Sequence, residues 1–207
     1  MDNLKIAAII LIFPIILAIG IFIIPYVSTY SNDLIIEYSV LQSGRWLWGH
    51  IISALAFGWA IVIAHYISRH LYYNEQNGLG TISFFLTVVG SVLIAIGLGA
   101  NGIGLVAAVN GGLPAAVFFE SIESSGMTVP VILMAGIILF GFGLINQIIG
   151  LRYTGVIPDI LALVLIVCAI LFMGFATIPS SMGLYFTAYS SVLIYGCLCV
   201  LFCLSEY

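Results

Sequence analysis

The sequence predicts an all-α, polytopic membrane protein, a six-transmembrane-helix bundle forming one domain over residues 1–207. Three observations carry that prediction. Only 6% of the residues are charged while 63% are hydrophobic, the mean hydropathy is +1.29, and the apolar residues fall in six long runs separated by short polar breaks. With 8 acidic and 4 basic residues, the chain has too little polar surface to solvate a water-soluble fold. Inside lipid every backbone N–H and C=O must be paired within the protein. Uninterrupted apolar runs of about 20 residues are therefore helices, since barrel strands are about half as long and alternate.

The spans read as about 6–27, 46–67, 82–105, 129–149, 157–178 and 182–204. The first is too long for the apolar region of a signal peptide and is expected to remain as a helix. It contains Pro14 and Pro25, which bend a membrane helix without ending it where neighbours satisfy the freed carbonyl. The connection 28–45 is expected to be a long loop. Trp46 and Trp48 open the second span as an aromatic anchor, and all three histidines, His50, His65 and His70, lie on this span or at its end. Bis-histidine haem within the chain is thereby excluded, because no other helix offers an imidazole. The cofactor expectation is none. The alternative is haem or a chlorophyll-type pigment bound through His65 or His50, with Met134, Met173 or Met182 as a second axial ligand to haem. Of the three histidines, His65 is expected to lie deepest, because His50 sits beside the tryptophans and His70 beside Arg69.

The third span is rich in glycine. Its stretch Gly97-Leu-Gly99-Ala-Asn101-Gly102 matches the dinucleotide-binding pattern letter for letter, but that motif needs a strand-to-helix turn and here it lies within an apolar helix. The expected role of Gly90, Gly97, Asn101 and Gly104 is close helix packing. In the connection 106–128, Pro114 starts a short interfacial helix with Phe118, Phe119 and Ile122 against the bilayer and Glu120 and Glu123 toward water. Asn146 and Gln147 close the fourth span, Arg152 follows, and Asp159 opens the fifth after Pro158. These four residues form a polar inner site, read first as a clasp between Arg152 and Asp159 and alternatively as an ion or proton site. Cys168, Cys197, Cys199 and Cys203 serve as small apolar residues, and no metal site is expected.

Lys5, Arg69 and Arg152 fall on one side of alternating helices and Arg45 on the other, which predicts both termini in the cytoplasm. There is no basic cluster for nucleic acid. The partners expected are membrane lipids and other membrane protein subunits. Trp48-Gly49-His50, the glycine-rich third span, and Gly141-x-Gly143 through Arg152 and Pro158 resemble a broad group of six-span integral membrane proteins of bacteria and archaea with no settled activity. The resemblance implies six helices and no mechanism. With no soluble domain, catalytic constellation or charged pathway, the sequence predicts a non-catalytic accessory or structural subunit of a larger membrane complex. The alternatives are a small transporter or channel, routed along the third helix toward Asn146 and Asp159, and a pigment-bearing subunit.

Overall fold

The computed structural model describes residues 3–29, 31–114, 117 and 129–204, and it is a helical bundle in which six helices are long and apolar enough to cross a membrane. They are α1 (Asn3–Ile23), α3 (Ser43–Tyr73), α4 (Asn77–Gly99) continued through a π-turn (Ala100–Gly104) into α5 (Leu105–Asn110), α6 (Val129–Tyr153), α7 (Asp159–Ala176) and α8 (Ser181–Leu204). Each packs on the next in chain order, and α8 closes the ring against α1. The start of α1, the α3–α4 and α6–α7 turns and the end of α8 lie at one end, the terminal end. The end of α1, the end of α5 and the α7–α8 turn lie at the opposite, loop-rich end.

Local chemistry sets the helix boundaries. Pro14 sits inside α1, and the helix runs through it, while the Trp59 indole donates to the Ile9 carbonyl one residue from the carbonyl that Pro14 cannot pair (2.9 Å). Pro25, placed by hydropathy in the first span, lies outside the helix, because the residue before a proline is pushed out of the helical region and α1 stops at Ile23. The connection 28–45 is not a plain loop. Ser31 accepts from the Leu34 N–H at 3.4 Å and caps a ten-residue helix, α2 (Asn32–Leu41). Val27 and Ser181 then tie this connection to the start of α8. The Val27 N–H donates to Ser181 Oγ at 2.7 Å and the Ser181 N–H to the Val27 carbonyl at 2.9 Å. Both residues are buried, so each bond replaces one that water cannot supply. The interfacial helix expected around Phe118, Phe119, Glu120, Ile122 and Glu123 lies outside the described residues.

Two glycine seams bring helices into backbone contact. On α4 and α6, a Cβ on Gly90 would meet the Phe140 backbone, and one on Gly136 would lie 2.8 Å from the Ile94 nitrogen. On α1 and α3, a Cβ on Gly49 would lie 3.0 Å from the Gly20 carbonyl oxygen, and one on Gly20 would lie 3.0 Å from that of Gly49. Such approach replaces the hydrophobic effect, which lipid tails do not supply between helices. At mid-length, Phe13, Phe57, Phe140, Phe172 and Tyr195 come from five of the six spanning helices and meet in the centre, Phe13 lying 4.7 Å from Tyr195 and 5.6 Å from Phe57, ring centre to ring centre. Phe140 extends the layer to Phe57 at 5.3 Å and to Phe172 at 5.8 Å. These buried rings fill the middle of the bundle.

Candidate functional site

Above that aromatic layer, toward the loop-rich end, the helices part around a cavity of about 470 Å³. Phe57 and Phe172 form its floor and aliphatic side chains from α1, α4 and α6 its walls, with Leu98, Ile94 and Ile137 among them. Met134 and Ile178, both exposed, stand at its rim. Five polar residues interrupt the apolar lining. They are His50 and Ser53 on α3, Asn101 in the π-turn, Thr177 just after α7 and Thr187 on α8. No carboxylate or cation joins them among the described residues.

The π-turn builds this arrangement. Its wider winding leaves α-type pairing locally broken, a device that recurs at functional sites. The freed Asn101 carbonyl accepts the Trp46 indole N–H at 2.9 Å, and Gly102 lies so close to His50 that a Cβ there would strike the imidazole Cβ. Trp46 and His50 are one helical turn apart on the face of α3 that meets the π-turn, and their rings lie 4.8 Å apart.

His50 Nδ1 lies 2.7 Å from the Trp46 carbonyl oxygen. A carbonyl only accepts, so Nδ1 carries the proton, and an imidazole enclosed in apolar surroundings without an anion beside it stays neutral. Nε2 is then an acceptor with an open lone pair, since His50 makes no other hydrogen bond among the described residues. Ser53 is 2% exposed, and its hydroxyl has no hydrogen-bond partner among the described residues. The Asn101 carboxamide is likewise uncommitted, while Thr187 spends its hydroxyl on the Gly183 carbonyl at 2.8 Å. His50 and Ser53, three residues apart, share one face of α3. The Ser53 oxygen is enclosed against Gly20 of α1, so the cavity presents two polar side chains, His50 and Asn101, with hydrogen-bonding capacity unused among the described residues.

The remaining sequence candidates lie elsewhere. His65, expected to be the deepest histidine, is exposed on the outer face of α3 with its ring beside Tyr66 and Phe84, whereas His50 is enclosed. Fifteen residues apart, the two positions are turned only about 60° from each other around α3, so the reversal comes from what packs there: Gly102 of the π-turn lies against His50, whereas His65 is left exposed. Gly90 and Gly97 pack against α6, Gly97 on Leu133, Gly104 is half-buried in the π-turn, and Gly102 makes a tight approach to α3.

The polar inner group does not converge. Asn146 donates to the Phe142 carbonyl of its own helix (2.8 Å), whereas Gln147 is buried and donates to Thr87 on α4 (3.1 Å). Arg152 Nε donates to Asp159 Oδ1 at 2.7 Å in an exposed turn. Met134 shares the cavity with His50, Met173 packs into the notch at Gly141, and Met182 is exposed. The four cysteines are free, half-buried thiols. Among the described residues no three His, Cys, Asp or Glu side chains are grouped to hold a metal. The sequence reading missed Ser53, Thr187 and Trp46 as lining residues. A serine three residues after a histidine on one helix face was the signal for the first.

Comparison with protein-family models, with curated proteins and with solved structures finds no match.

Proposed function

We propose that this chain is a non-catalytic membrane protein that binds one small, largely apolar molecule in the cavity at its loop-rich end. The observation that carries the reading is a space of about 470 Å³ whose apolar lining is interrupted by His50 and Asn101. A void of this size left empty would cost on the order of 10 kcal/mol, as much as the whole stability of a typical domain. That cost falls when a molecule with an apolar body and a polar group enters. The volume lies within the usual range for small-molecule sites, and an apolar lining with a few polar groups is their ordinary composition.

Organic extraction of protein purified in mild detergent, followed by mass spectrometry, tests this reading. One apolar species in near-stoichiometric amount is expected from the wild type and a depleted amount from Leu98→Phe, which fills the cavity. Identical extracts would overturn it. A coloured occupant held by His50 and Met134 is the second reading, favoured because both line the cavity. A visible absorption band in the same preparation that His50→Phe removes would support it.

The accessory-subunit role rests on α7. Its outward residues Ile160, Leu163 and Ile170 are 82%, 65% and 53% exposed, and the helix is the least enclosed of the six. Lipid or a partner helix covers such a face equally well, and mild-detergent purification separates the two. Both termini are assigned to the cytoplasm on the positive-inside rule, with Lys5, Arg69 and Arg152 at the terminal end and Arg45 at the other. Labelling of a cysteine introduced at Asn74 by an impermeant maleimide only after the membrane is opened supports that orientation.

A further inference from the structure

We infer that the cavity selects a ligand that donates a hydrogen bond, an apolar molecule carrying a hydroxyl, and that His50 reads that hydroxyl. This rests on the cavity being a binding site and adds the chemistry of the occupant. The argument begins with the Trp46 carbonyl. By accepting from Nδ1 at 2.7 Å it fixes the imidazole tautomer, so the nitrogen left for the cavity, Nε2, has a lone pair and no proton. A ketone, an ether or an ester offers only acceptors and would set lone pair against lone pair at that point. An alcohol or phenol supplies the missing proton.

Ser53, one turn along, adds nothing to the match, because its hydroxyl is enclosed in the α1–α3 seam, where a Cβ on Gly20 would strike its oxygen. The half-buried Asn101 carboxamide also lines the cavity, with both a donor and an acceptor unspent among the described residues. Since no charged side chain among the described residues lines the space, neither a carboxylate nor an ammonium group on the ligand finds a counter-charge among them. The occupant is thus neutral, apolar over most of its surface, and hydroxylated at the end that faces α3. Ordinary acyl chains of the surrounding lipid lack that hydroxyl and leave His50 Nε2 unpaired.

The experiment compares two molecules of nearly equal shape, para-hexylphenol and its methyl ether para-hexylanisole. Binding to the intact chain in lipid nanodiscs is measured by equilibrium dialysis against empty nanodiscs, which removes simple partitioning. The phenol is expected to bind at least about fivefold more tightly than the ether, the difference a single well-placed hydrogen bond makes. In His50→Phe the ratio falls to about one while the ether keeps its affinity. His50→Gln, which retains an acceptor, keeps part of the preference and controls for a folding defect in the first variant. Equal binding of phenol and ether to the wild type overturns the donor rule and leaves the cavity reading standing. Failure of both to bind overturns the cavity reading itself. A preference that survives in His50→Phe removes His50 from the role.

Discussion

Ser53 and Ser91 each bury a hydroxyl with no hydrogen-bond partner among the described residues. Neither oxygen is open to the cavity, so the lost bonds have no compensating use, and Ser53→Ala and Ser91→Ala should each raise stability by about 1 kcal/mol. Thermal unfolding checks both, and a loss of stability in either variant would show its hydroxyl to be partnered. Ser181 is the converse case. Its hydroxyl is the acceptor for the Val27 N–H, so Ser181→Ala strands a buried donor and should cost about 1–2 kcal/mol by the same assay. Arg152 and Asp159 form a close pair in the α6–α7 turn, but water surrounds both, and Arg152→Ala should leave the unfolding midpoint unchanged within error.

At the scale of elements, the glycines divide into two kinds that composition does not distinguish. Gly90 and Gly136 face backbone across the α4–α6 seam, where any side chain forces the helices apart, whereas Gly58 and Gly174 have nothing within 4 Å of the position a Cβ would take. Gly90→Ala should therefore destabilise by about 1–3 kcal/mol through overpacking, while Gly58→Ala should stabilise by up to about 1 kcal/mol through helix propensity. Equal effects at the two sites would mean that the seam is looser than its geometry. This contrast marks how far the sequence can be read. Six spans were legible because lipid imposes one requirement, backbone pairing within an apolar run, that hydropathy reports directly. Helix ends were less so. Hydropathy follows the lipid boundary, but α3 carries on past it to Tyr73, and Pro25 ends α1 earlier than apolarity alone implies. The helix α2 was missed because its start depends on one serine cap, and the π-turn because a winding change leaves no mark on composition.

For the whole molecule, the two halves of the ring are packed differently, and that asymmetry locates its function. From the aromatic layer to the terminal end, residues such as Ile10, Ile67, Leu144, Ile148 and Phe202 are fully buried and fill the centre, while toward the loop-rich end the same six helices enclose a cavity. The candidate site was only partly legible for this reason. His50 and Asn101 were both singled out in the sequence, one as a pigment ligand and one as a packing residue, but nothing in a linear pattern brings a residue of α3 beside one of the π-turn. Ring order and the Gly102 approach do that, and they are tertiary facts. The same asymmetry predicts opposite responses to one chemical change. Leu98→Phe adds volume where there is room and should raise the unfolding midpoint while lowering the affinity for para-hexylphenol. Leu144→Phe adds the same volume where packing is complete and should cost about 1–3 kcal/mol without touching the site. Thermal unfolding in detergent together with ligand dialysis checks both. If Leu98→Phe destabilised as much as Leu144→Phe, the loop-rich half would be as tightly packed as the other, and the space that carries the functional reading would not exist.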